Sequence, residues 1–452
     1  MSKANIELSS LKKWTASIKS DSQTQLVSSI AQHAHIDDVL INRARELKAK
    51  MVFNNKVDPE GSPVLDQKSS GRCWLFASTN MLRINAMSKL NLKECQISPS
   101  YLFFYDKLEK ANFFLEQIID TYKEPVDGRL VQYLLDCPII DGGQFDMMTQ
   151  VVDKYGLVPN QIFPDTFNTT MSRTMNRLIT FKLREYGMIL RDLLNNNQDI
   201  SSKKEEFQFE IYRLLTMFLG IPPDPNESFT WEFYDKDGKY KSLTSTPLDF
   251  ATKTLEFDTP QYVSLLNDPR NSYNKMIQID RLGNITGGKY VSYLNLDIKK
   301  LSQAVINRIR NNKAVFFGTD TPKFMDKKQG IMDIDLWDYK LMGYDPKSMS
   351  KKDRVIYKNS LMTHAMLITA VHLDDNGNPV RYRVENSWGT KSGNDGYYVM
   401  NQEYFEEYVY QIVCEKDELA ALDIDLSILE DSNPIILPPY DPMGALAFKD
   451  DH

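Results

Sequence analysis

The sequence predicts an α+β fold with a large, mainly helical insertion, and three stretches carry that prediction. A polar, Gly-containing loop, Asp66-Gln67-Lys68-Ser69-Ser70-Gly71-Arg72, runs straight into the apolar Cys73-Trp74-Leu75-Phe76-Ala77, the pattern of a buried helix opening from a loop. Far downstream, Met362 to His372 and Arg381 to Glu385 are strand-like runs on either side of Asn376-Gly377, a strong short hairpin signal. Between these two regions Met175, Leu178, Ile179, Leu183, Tyr186, Leu190 and Leu193 recur at the spacing of an amphipathic helix. A helix-rich half and a sheet-rich half are thus separated by a helical excursion.

In order along the chain, residues 1–58 read as an N-terminal arm of amphipathic helices around the polar Ser20-Asp21-Ser22-Gln23. Residues 59–159 form the helical half: the helix from Cys73 to about residue 90, left at Asn91-Leu92-Lys93, then a packed segment through Tyr101 to Tyr105. Residues 160–290 form the insertion. Its first helix holds the periodic run above, and a second, from about Lys204 to Leu219, is stopped by Gly220 and Pro222-Pro223. Phe229 to Leu243 folds back at Asp237-Gly238 as a hairpin. Residues 291–430 form the sheet half, with a helix near Asp297 to Arg310, a strand at Ala314 to Gly318, the hairpin and a strand at Gly396 to Met400. Residues 431–452 are a tail stiffened by Leu437-Pro438-Pro439 and expected to run extended, away from any packing signal.

Composition excludes several classes of function. At 452 residues, 42% hydrophobic and 25% charged, with no apolar run near eighteen residues, the chain reads as globular and not membrane-spanning. Its N-terminus is polar, so a cytoplasmic location is expected. Four scattered cysteines, at positions 73, 95, 137 and 414, suit neither a disulfide framework nor a zinc site, and the reduced state is expected. A net charge of −7 gives no overall attraction to nucleic acid or anionic lipid, so nucleic-acid binding at physiological salt is not expected.

The loop before Cys73 carries the chemistry. A cysteine at a helix N-terminus faces unpaired N–H groups and the positive end of the helix dipole, which bias it toward the thiolate nucleophile. The Gln67 carboxamide and the Cys73 N–H are candidate donors to a developing oxyanion, and Trp74 is a candidate wall against water. A partner histidine is needed, and the chain has five. His33 and His35 precede the nucleophile in a polar segment and His452 ends the chain, whereas His364 and His372 share one strand. Parity places those two on the same side and does not choose between them. The turn does: the returning strand carries Asn386 to the His364 end. There an Asn carbonyl fixes the imidazole tautomer and Trp388 shields the bond.

Gln67, Gly71-Arg72-Cys73-Trp74, Thr363-His364-Ala365 and Asn386-Ser387-Trp388-Gly389 resemble the active-site blocks of the papain-like cysteine peptidases. In compact members the histidine follows the cysteine by about 130 to 150 residues, and here the gap is about twice that, so the chain carries an inserted domain. Ser69 to Ala77, Ser100 to Phe104, Gly142 to Met147, Lys182 to Tyr186 and Gly444 to Ala447 narrow the resemblance to the bleomycin hydrolase family. The resemblance implies an aminopeptidase acting on peptides without metal or organic cofactor, with Cys73, His364, Asn386 and Gln67 as catalytic residues. It also implies a homohexamer joined through the helical insertion. A tail ending at Ala445-Leu446-Ala447 in the cleft is implied as well, its terminal carboxylate pairing with the substrate's α-amine. Phe448 to His452 continue past that point, and their removal through Cys73 is expected. A Cys-His acyltransferase shares the thioester step and differs in passing the acyl group to an amine.

Overall fold

The computed structural model describes residues 5–321 and 323–447. Phe448 to His452 lie outside the described residues. The strands are β1 (Asn55–Lys56), β2 (Phe229–Tyr234), β3 (Tyr240–Ser245), β4 (Tyr262–Leu266), β5 (Lys275–Ile279), β6 (Ser292–Asn295) and β7 (Val315–Thr319). They continue with β8 (Met325–Asp326), β9 (Ile331–Met332), β10 (His364–Leu373), β11 (Pro379–Glu385), β12 (Tyr397–Asn401), β13 (Val409–Glu415) and β14 (Ile435–Leu437). Among the described residues, all but β2 and β3 form one sheet in the order β14-β5-β6-β4-β13-β7-β10-β11-β12-β9-β8, with β1 laid on β10. At its centre β7 is buried throughout and β10 nearly so, which is why both read as near-continuous apolar runs without alternation.

The β10–β11 hairpin closes where Asp374 accepts from the Asn376 and Asn378 N–H groups at 2.9 and 2.8 Å and Gly377 takes φ +82°. Its register pairs Leu367 with Glu385, and a shift between Ile368 and Ala370 leaves Thr369 as an extra residue. That bulge breaks the simple alternation between His364 and His372.

The helix Cys73–Lys89 packs against β10, and 14 of its 17 residues are buried, so it is wrapped on every side. One polar side chain inside it, Arg83, has no exposed surface and pairs with the equally buried Glu385, the last residue of β11. Asn80 donates to the same carboxylate at 3.0 Å. The helix Cys73–Lys89 and the hairpin are therefore joined by a buried charge pair.

The two insertion helices, Arg173–Asn195 and Ser201–Leu219, pack on the long helix Pro99–Asp120. They bury Met175, Ile179, Leu183, Tyr186 and Leu190, and Phe207, Ile211, Leu215 and Leu219, close to the helical period of 3.6 residues. Tyr186 stacks on Phe207 with ring centroids 3.9 Å apart. The chain rejoins the sheet at Tyr262, earlier than the expected end of the insertion near residue 290. The reason is non-local: β4 finds its partner in β13, with Leu265 opposite Ile412.

The arm's first two helices, Leu8–Ser20 and Ser22–Ala31, contain no buried residue, whereas Ile41, Met51 and Phe53 pack beside Trp337 on Ile331, Leu336 and Val399. Arg45 fixes that contact with a two-pronged bond to Asp333 at 2.8 and 2.7 Å. The tail departs from expectation. Instead of running free, its β14 pairs parallel with β5, Asp441 binds Arg270 at 2.8 Å, and Met443, Ala445 and Leu446 are buried. Strand pairing and ion pairing of this kind leave no trace in local composition.

Candidate active site

The loop before the helix Cys73–Lys89 is held mainly by the segment that follows β11. Gln67 N–H donates to the Ser387 carbonyl at 2.8 Å, Gly389 N–H donates to the Leu65 carbonyl at 3.0 Å, and Asp66 and Trp388 form a β-bridge. The Gln67 side chain is held at both ends: its Oε1 accepts from Ser387 Oγ at 2.6 Å and its Nε2 donates to the Ser70 carbonyl at 2.6 Å. A carboxamide nitrogen carries two N–H bonds, so one remains for another acceptor. Arg72 occupies the N-cap with no side-chain cap, so Cys73 opens a helix whose first N–H groups are not taken by a capping side chain.

His364 is the first residue of β10, and its Nε2 donates to Asn386 Oδ1 at 3.0 Å. The same Oδ1 accepts from the Ser387 N–H at 2.8 Å, which fixes the amide as the acceptor. Trp388 covers the imidazole with centroids 5.0 Å apart, and Lys327 Nζ sits 4.3 Å from the Trp388 ring. Gln67, Ser387, Asn386, His364 and Trp388 are thus one contiguous group, and Cys73 heads the helix that leaves its loop. Cys73 and His364 are each about 5% exposed, which keeps bulk water from the bond between imidazole and amide. His372 lies elsewhere, beside the turn opposite Arg381, and His33 and His35 are exposed on the arm.

Beneath the loop Trp74 is wholly buried and donates from Nε1 to the Asp141 carbonyl at 2.8 Å. Its ring carbons stand 2.5 Å from where a Cβ on Gly143 would fall, so only glycine allows this approach. Trp74, expected as a wall facing the site, supports the 141–143 loop from within. Lys110, buried and with its Nζ 5.1 Å from the Trp74 ring, donates to the Gly142 carbonyl at 2.6 Å.

A model of the Peptidase C1-like family matches residues 5–444. The chain belongs to that family. Among its relatives are Cysteine proteinase 1, mitochondrial, of Saccharomyces cerevisiae, 51% identical over 98% of this chain and 93% of the yeast protein, and human bleomycin hydrolase, 41% identical over 95% and 96%. The crystal structure of PepW from Lactobacillus rhamnosis superposes with a TM-score of 0.93 at 34% identity, covering 97% of this chain and 99% of that one. The Peptidase C1-like chain therefore has the papain-like α+β fold and is a cysteine-type peptidase acting on peptides. Among its described residues no helix is long and apolar enough to cross a membrane.

Three supports of this Peptidase C1-like site were not found by sequence reasoning. Asp141 immediately precedes Gly142-Gly143, yet only folding brings it to Gly71. Arg72 is fully buried and reaches Asp165 at 2.7 Å and Ser70 Oγ at 2.9 Å. Ser387 lies inside a recognised block, and its hydroxyl-to-Gln67 bond is a purely tertiary contact. The tail comes close as well: the Pro442 carbonyl accepts from the N–H of Met362, two residues before His364, at 3.3 Å. Ala445 and Leu446 follow, buried, in the turn Pro442–Ala447.

Proposed function

We propose that this chain is an aminopeptidase of the bleomycin hydrolase kind, releasing N-terminal residues from peptides and related amides. Cys73 Sγ forms the bond to the scissile carbonyl as His364 takes the thiol proton. The developing oxyanion accepts from the second N–H of Gln67 Nε2 and from the Cys73 N–H. His364 returns the proton to the leaving amine, whose C–N bond breaks, and water then releases the acyl group from the thioester. The observation that carries this reading is the bond from His364 Nε2 to Asn386 Oδ1, because it commits Nε2 and leaves Nδ1 as the proton acceptor.

The aminopeptidase limit rests on the tail. Tyr293 Oη donates to the Met443 carbonyl at 3.0 Å, Arg270 grips Asp441, and the Pro442 carbonyl meets the Met362 N–H, contacts that support a tail end lying near His364. A carboxylate at Ala447 pairs with a substrate α-amine by a charge-assisted bond, and Phe448 to His452 are removed by the enzyme to expose it. Free and N-acetylated peptides compared on the parent and on a Cys73→Ala chain test this. Free peptides are cleaved, acetylated ones are not, and trimming appears by intact mass only where Cys73 is present. Equal cleavage of acetylated peptides ends the aminopeptidase reading.

The chain is organised as arm, helical half, insertion, sheet half and tail, and the pairing of β4 with β13 supports a sheet half that begins at Tyr262. The homohexamer is supported by the apolar side chains the insertion leaves exposed, Leu178, Phe181 and Met188 on its first helix and Phe209 and Met217 on its second. Light scattering at a mass near the 52.2 kDa of one chain overturns it. Cytoplasmic residence is supported by Cys95 and Cys414, which are unpaired thiols as a reducing compartment keeps them. No binding to nucleic acid is expected at physiological salt.

A further inference from the structure

Gly71 stands two residues ahead of Cys73, and its N–H donates to Asp141 Oδ2 at 3.0 Å. The same oxygen accepts from the Ser172 hydroxyl, and Oδ1 accepts from Asn176 Nδ2 at 2.7 Å; Ser172 holds the N-cap position of the helix Arg173–Asn195, with its hydroxyl given to Asp141 and not to the helix, and Asn176 is the helix's fourth residue. Lys107 Nζ, with no exposed side-chain surface, completes the set 2.6 Å from Oδ1. Three hydrogen-bond donors and the Lys107 ammonium, as a charge partner, surround the carboxylate. Burial alone raises the Asp141 carboxyl, but Lys107, Ser172 and Asn176 outweigh it and hold the group well below the ordinary carboxylate range.

The next residue of the turn is held in a related way. Arg72 binds Asp165 through two guanidinium nitrogens at 2.7 and 3.3 Å, and Asp165 lies at the start of the insertion, just before the short helix Phe167–Thr170 that precedes Arg173–Asn195. Two consecutive residues of the nucleophile turn therefore meet carboxylates that belong to, or are bonded by, the root of the insertion. A buried charge network of this kind is rigid only while every member is satisfied, and reactive groups need placement to a fraction of an ångström.

We propose that Asp141 is a positioning residue that couples the seat of Cys73 to the first helix of the insertion, so that a change at the root of the insertion alters the reactivity of the nucleophile. The inference rests on Cys73 being the nucleophile. It gives the insertion a part in catalysis separate from subunit contacts.

The test uses the full chain with Ser172→Ala and Asn176→Ala together, which cut the insertion's two bonds to Asp141 and leave the nucleophile turn untouched. Cleavage of a free-amine peptide should show kcat lowered about tenfold at unchanged KM, short of the ~10²-fold that a 1 Å misplacement costs. Inactivation by iodoacetamide should slow in step, and Ser172→Thr, which keeps the hydroxyl, should match the parent. A folded double variant with the parent's kcat and inactivation rate overturns the coupling, as does one in which only KM or thermal stability moves. If the double variant does not fold, Ser172→Ala alone takes its place with the same two outcomes. A Cys73→Ala chain is measured beside them: residual hydrolysis there overturns the nucleophile reading itself, whereas an inactive Cys73→Ala with a parent-like double variant overturns the coupling alone.

Discussion

Ser387 Oγ donates to Gln67 Oε1 at 2.6 Å across 320 positions of sequence. Since Ser387 N–H also bonds Asn386 Oδ1, a single residue orients the proposed oxyanion donor and the amide that orients His364. Ser387→Ala should lower kcat several-fold at unchanged KM. Gln67→Ala should lower it further, by about 10²- to 10³-fold, the usual cost of losing an oxyanion donor. Steady-state kinetics on a free-amine peptide decide it, and a Ser387→Ala enzyme with the parent's kcat would refute the shared role.

The other thiols are separated by burial. Burial pushes the Cys95 thiol up to about 12 and raises Cys414 as well, while Cys137 is exposed. Iodoacetamide on the native protein should therefore add label at Cys73 and Cys137 and spare Cys95 and Cys414. Cys137→Ser should remove one adduct and leave inactivation unchanged. Peptide mapping reads this directly, and inactivation that tracks Cys137 would argue against Cys73.

The Arg83–Glu385 pair ties the helix that opens at Cys73 to the end of β11, one residue before Asn386, with neither side chain exposed. Arg83→Met strands a buried carboxylate and should cost about 3–5 kcal/mol, whereas Arg83→Met with Glu385→Leu should regain most of it. Urea unfolding of the two variants checks the sign. A single variant as stable as the parent would show that the pair does not hold the helix to the hairpin.

Asp141 gives a pH dependence. Its folded pKa is depressed below an unfolded value of about 3.9, so the unfolded chain binds the extra proton first. The stabilisation is complete above the unfolded pKa and is lost as pH falls through the folded one. Asp141→Asn should therefore be less stable than the parent at pH 7, with the gap closing below about pH 4. Denaturant midpoints from pH 7 to pH 3 measure it, and a constant gap would mean that the carboxylate charge is not what stabilises.

How far the sequence led can be read at particular residues. The turn at Asn376-Gly377 is local, so it correctly predicts that Asn386 comes back to His364. The parity argument for His364 and His372 fails at Thr369, because a bulge depends on how β10 meets β11 and not on the residues of β10 alone. The insertion helices announce themselves through Met175, Ile179 and Leu183. By contrast, β4 looks like part of the insertion until its partner β13, far along the chain, is in place. Asp141 and Asp165 were invisible for the same reason: each is one acidic residue in a loop until folding brings Gly71, Arg72 and the insertion root around it.

The tail's short strand has a consequence for handling the protein. β14 lies on β5 from Ile435 to Leu437 as the last strand of the sheet. An uncovered strand offers a row of unsatisfied N–H and C=O groups to which another chain can add. Shortening the protein from its C-terminus thus has two thresholds: ending at Pro438 keeps β14 in place, whereas ending before Asn433 bares Lys275–Ile279. Loss of solubility that begins only past the second threshold reports self-association along that edge, separate from any change in what reaches Cys73.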